Sequence, residues 1–242
     1  MQKVLLPADS PLRNPPASLD PVEKAAWDAV RFALDMTHIS YVRLVDTLEK
    51  IGHAVRKGEK QVDEPTVALV DAWSVVDNLW RLHSILRRFP RMKKSPQLEV
   101  HLRAIAAVED LRHGIQHLDE NFKSAAAREQ PVLGSLSWLW TPDDPLQEGF
   151  MMAVAAGAMR EGWIPMTNPG GRKFHRPIGL VTLAAFGKEL ELTGLVVRAV
   201  ELAKGLDQGA RLAVGDSPVG KADVVLALLF RSGSPPPDSE TM

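Results

Sequence analysis

Arg112, His113 and His117 fall within the hexapeptide "RHGIQH", with Glu109 three residues before it and Glu120 three after. An imidazole titrates near neutrality and can pass a proton in either direction. A guanidinium carries a permanent charge and a fork of donors suited to a phosphate or a developing oxyanion. Two imidazoles at i and i+4 can also point at one metal ion, with a carboxylate adding oxygen. Proton transfer, anion stabilisation and metal binding are the chemistries this cluster offers. Against all of them stands the solvated face of an ordinary helix, where Glu and His are common.

The helix that must position these groups reads from Ser95-Pro96, a cap followed by proline at the first helical position, to Phe122. Leu111, Ile115, Leu118 and Phe122 form its core stripe. At about 100° per residue, Glu109, His113, His117 and Glu120 share the opposite face, and Arg112 lies about 140° around from His117. Gly114 weakens the helix by about 1 kcal/mol relative to alanine and marks close backbone approach. A polar face interrupted by glycine suits a cleft or an interface, and a homodimer built on the His113 and His117 face is the expectation. HEXXH is absent because Gly114 stands where its glutamate would be, and no third ligand is near in sequence. No metal or other cofactor is expected.

"RHGIQH" also resembles the R-x4-6-H motif of the HEPN superfamily (higher eukaryotes and prokaryotes nucleotide-binding domains), in which Asn, Asp or His usually follows the arginine. The resemblance covers this motif and the helical setting of roughly the first half of the chain. It implies a helical bundle that pairs so that two motif copies meet in a cleft. It implies a metal-independent endoribonuclease of toxin–antitoxin or phage-defence type, or a degenerate relative. Arg112 and His117 would then be the catalytic pair and His113 their polar neighbour. RNA would be the substrate, and an antitoxin or another protein a partner.

A second cluster, "LRRFPRMKKS", sets Arg87, Arg88, Arg91, Lys93 and Lys94 around Phe89. Such a patch can grip a phosphate backbone. It equally fits a solvated inter-helix loop with cations favouring the helix dipole. "NPGGRKFHRP" lacks the spacing of a P-loop or of GxGxxG and reads as a hairpin turn. Most of the six tryptophans occupy core positions, with Trp138 and Trp140 placed to line a pocket between sheet and bundle. His38, His53, His83 and His101 carry no functional assignment.

With 242 residues, 45% of them hydrophobic, the chain can bury one large core or two modest ones. A net charge of -1 provides no global field for nucleic acid or a membrane surface. The absence of cysteine excludes disulfides, thiolate metal sites and a cysteine nucleophile. The N-terminal "MQKVLLPADSPLRNPP" has no signal-peptide h-region, and "ADVVLALLF" is far too short to span a bilayer. A cytoplasmic protein without membrane contact is expected.

Proline-rich residues 1–19 read as an extended arm, and 20–128 as a helical bundle. In the first bundle helix, opened by Asp20-Pro21, apolar residues recur from Trp27 to Leu48. The second runs from Pro65 to about Phe89. After Pro131 the period shortens: "VLGSLSWLW" alternates like a strand with one buried face. "GFMMAVAAGAM", "GWIPMT", "HRPIGLVTLAAF" and "ELEL" read as further strands, and Thr193 as the cap of a helix to about Asp207. "ADVVLALLF" fits a strand or a buried helix. Residues 131–230 thus form an α+β region and 231–242 a disordered tail. The fold class is α+β: mainly a helical bundle, followed by a small antiparallel sheet with a packed helix. That architecture also suits a non-catalytic interaction or scaffold protein docking a partner on the 109–120 face.

Overall fold

The computed structural model describes residues 4–60, 63–89, 96–127, 130–142, 149–155, 157, 176–215 and 223. It is an α+β protein: five helices, then a small antiparallel sheet, then a packed helix. The expected tail, the "GWIPMT" strand and all of "ADVVLALLF" except Asp223 lie outside the described residues.

Helix α1 (Pro21–Lys57) begins where the sequence predicts. The Asp20 side chain accepts from the amides of Val22 and Glu23, and Glu23 returns the bond in a capping box. Gly58, at φ 73°, ends the helix in the left-handed conformation that glycine adopts freely. Helix α2 (Glu64–Arg88) packs antiparallel to α1. Arg43 of α1 pairs with the buried Asp71 of α2 at 3.2 Å. Burial raises the Asp71 carboxyl, and Arg43 opposes it.

The single helix expected to reach Phe122 is three: α3 (Pro96–Ala106), α4 (Val108–Gln116) and α5 (Leu118–Ala127). His117 caps α4 at φ -105° and ψ 39°, outside helical geometry. The break releases the carbonyl of Gly114, and the Asn121 side chain donates to it at 3.0 Å. The expected stripe fails with the helix. Leu111 is buried, but Phe122, beyond the break, is 44% exposed.

Strands β1 (Ser135–Trp140), β2 (Phe150–Ala155), β3 (Ile178–Ala185) and β4 (Lys188–Glu191) form one sheet in the order β2-β1-β3-β4, every pair antiparallel. β1 is buried at every residue, so both its faces are covered, not one. Trp138 and Trp140 are buried in the core. A Cβ on Gly52 of α1 would stand 2.6 Å from the Trp140 ring, so that glycine admits the indole.

β3 shifts register between the partners of Ser137 and Leu139, where Leu180 takes φ 51°. The freed amide of Val181 donates to Thr193 Oγ1 at 2.9 Å, and Tyr41 of α1 donates to the same oxygen at 2.8 Å. Thr193 is therefore a staple, not a cap. Helix α6 (Leu192–Val214) starts earlier, capped by Glu191, and runs further than Asp207.

Residues 4–19 fold into turns on the core instead of forming an extended arm, with Leu6 and Leu12 buried. Buried Asp35 accepts from the amides of Leu5 and Leu6 and pairs with Arg13. Ser10 donates to Asp207, and Arg211 pairs with Asp9 at 3.1 Å. One hydrophobic core joins arm, helices and sheet.

Candidate functional site

The short helix α4 carries Arg112 and His113, and its cap is His117. Val108, Leu111 and Gly114 are its buried residues. Gly114 does permit a close approach, but its partner belongs to the same chain. A Cβ there would lie 2.3 Å from Cδ2 of Phe186, at the tip of the β3–β4 hairpin. Phe186 itself holds φ 53°, followed by Gly187 at φ 74°. That is the double left-handed pattern of a tight two-residue hairpin turn, and a phenylalanine in it is strained. Its docking onto the backbone of α4, with Trp73 at 6.2 Å, holds it there. Lys188 pairs with Asp110 at 3.1 Å and ties the same hairpin to α4.

Arg112 and His117 are directed to different partners. The Arg112 guanidinium turns to α2, donating from Nε to Asp77 at 3.2 Å and from Nη1 to Gln116 at 2.9 Å. It stands 5.5 Å from the Trp80 ring centroid and is 25% exposed. These are the contacts of an arginine that fastens one helix to another. His117 instead lies against His113, ring centroids 4.4 Å apart, with Glu120 3.9 Å from its Nδ1. His113 is exposed. Among the described residues, no group of three or more His, Asp and Glu is placed to hold a metal ion.

Arg87 and Arg88 are exposed in the last turn of α2, where the helix dipole favours cations. Arg91, Lys93 and Lys94 lie outside the described residues, so the geometry of the basic cluster rests on those two arginines. His83, buried on α2, has no hydrogen-bond partner for Nδ1 among the described residues. Burial depresses its ionisation, Arg87 adds to the depression, and Glu109 opposes both.

An open groove runs along the outer side of α2 and encloses about 500 Å³. Val70, Trp73 and Asp77 of α2 form its floor, Met36 of α1 one wall, and Ile115 of α4 with Leu133 the other. Val70 is 55% and Met36 41% exposed, while Trp73 is anchored by donation to the Leu133 carbonyl at 3.0 Å. The lining is mostly apolar, with Asp77 holding Arg81 at 2.6 Å at one end. Sequence reasoning missed this groove. The available signal was Val67 and Val70, two β-branched residues on α2 outside its core stripe. Among the described residues no helix is long and apolar enough to cross a membrane. Comparison with protein-family models, with curated proteins and with solved structures finds no match to this chain.

Proposed function

We propose that the protein is a non-catalytic helical interaction module that docks a partner in the groove over α2. The observation that carries this reading is the groove itself, an apolar trough on a helix that is otherwise well packed. The 109–120 segment contributes Ile115 to one wall. Its arginine is occupied in fastening α4 to α2.

The metal-independent ribonuclease keeps one favourable observation: His113 and His117 sit together, and the helix breaks at His117. For that chemistry Arg112 would have to leave Asp77 and turn toward the imidazoles. Incubating the purified protein with transfer RNA and total RNA, with and without EDTA, separates the two readings. The interaction module leaves both RNAs intact. Metal-independent cleavage that His117→Ala lowers by about 10²-fold or more would replace it with the ribonuclease.

A further inference from the structure

The outward face of α2 repeats at alternating steps of four and three residues: Asp63, Val67, Val70, Ser74, Asp77, Arg81, Ser84 and Arg88. None of these residues is buried. This outward seam lies on a helix already packed on its other side; Val67 and Val70 are its apolar residues, and its middle, Val70, Ser74, Asp77 and Arg81, lines the groove. A helix laid along this face meets an acidic residue at one end and a basic one at the other, and that polarity restricts which helix fits. Asp63 stands at the start of α2 without a side-chain capping bond, and Arg88 at its end is exposed.

We propose that a second copy of this chain fills the groove, its α2 lying antiparallel to the first about a two-fold axis. This rests on the interaction-module reading and names its partner. Reversing the seam onto itself sets Asp63 opposite Arg88, Val67 opposite Ser84, Val70 opposite Arg81 and Ser74 opposite Asp77. The two outer layers become opposite-charge pairs across the interface. At the centre the small Ser74, whose hydroxyl donates to the Val70 carbonyl of its own helix at 2.8 Å, lets the backbones approach beside the partner's Asp77. Arg81, held by Asp77 of its own helix at 2.6 Å, is positioned to lay its aliphatic stem over the partner's Val70. A parallel arrangement would instead set Asp63 against Asp63 and Arg88 against Arg88. Charge complementarity therefore selects the antiparallel pair, and the symmetry makes each contact occur twice.

The full chain contains no cysteine, so an introduced thiol has no competitor. Ser74→Cys protein, treated with a short bis-maleimide, is expected to give a covalent dimer in high yield. Leu212→Cys, on the exposed side of α6, is expected to give little. Asp63→Arg and Arg88→Asp are each expected to shift the dimer toward monomer by about tenfold in dissociation constant, and the double charge reversal to restore it. Light scattering reads the mass in each case. A dimer in which the Ser74→Cys thiols do not crosslink and neither charge variant weakens association would overturn both the inference and the groove reading. A wild type that stays monomeric at every concentration would overturn self-pairing alone and leave the groove for a different protein.

Discussion

Gly114 and Phe186 are fitted to each other: one lacks a side chain where the other places a ring in a strained turn. Gly114→Ala should therefore destabilise by about 1–3 kcal/mol through overpacking, measured by urea unfolding. Combined with Phe186→Ala, its cost should shrink, because the ring it strikes has gone. Strict additivity of the two costs would mean that they do not touch. The glycine was legible in the sequence as a point of close approach. Its partner was not, since nothing local records that residue 186 will meet residue 114. Thr193 teaches the same lesson: its position before a helical run suggests a cap, yet its oxygen is taken by Val181 and Tyr41. Burial pushes the Tyr41 phenol up to about 12 from 10.0. Folding thus favours the protonated phenol. That contribution is complete below pH 10 and is lost as pH rises through about 12, with a slope of up to about 1.4 kcal/mol per pH unit. Tyr41 is the chain's one tyrosine, so tyrosinate absorbance reads it directly. A titration midpoint near 10 in the folded protein would contradict its burial.

Helices α1 and α2 were readable because their signals are local: the Asp20 capping box, prolines in the first turns, Gly58 after the last. The breaks at Ala107 and His117 were not, because hydrophobic spacing continues through them. What compensates the second break is the Asn121 side chain on the Gly114 carbonyl. Asn121→Ala should cost about 1 kcal/mol in urea unfolding, whereas His117→Ala should change stability by less than about 0.5 kcal/mol. The reverse ranking would make the histidine, not the asparagine, the organiser of the bend. β1 alternates in sequence, but covering of both faces depends on elements far along the chain, so one buried face was the reading available. On α2, buried His83 resists protonation in the folded state, through burial first and Arg87 second, against Glu109. The unfolded chain takes up that proton near 6.5, so stability is present above this pH and falls as pH drops below it. His83→Gln should flatten this acid limb in unfolding experiments. An unchanged limb would move the titration elsewhere.

Across the whole molecule, the proline-rich start shows where composition misleads. Prolines exclude a helix there, but they do not exclude docking, and Asp35 and Asp207 provide partners that only the tertiary fold supplies. Asp35→Ala strands the half-buried Arg13 guanidinium and two amides, with an expected loss of about 2–4 kcal/mol. Limited proteolysis should then cut within residues 4–19. An arm that remains protected would show that Leu6 and Leu12 suffice. The candidate cluster was legible in its residues but not in its aim, because the direction of Arg112 is set by Asp77, 35 residues away. The proposed docking surface is the outward face of α2, and the most direct test of the account is sedimentation velocity across a concentration series. Wild-type protein should sediment faster as concentration rises, and His113→Ala and His117→Ala should behave identically to it. Val70→Asp, which places a charge in the apolar part of the groove, should remain at the monomer value throughout. Superimposable profiles for wild type and Val70→Asp, or loss of association in the histidine variants alone, would contradict the account.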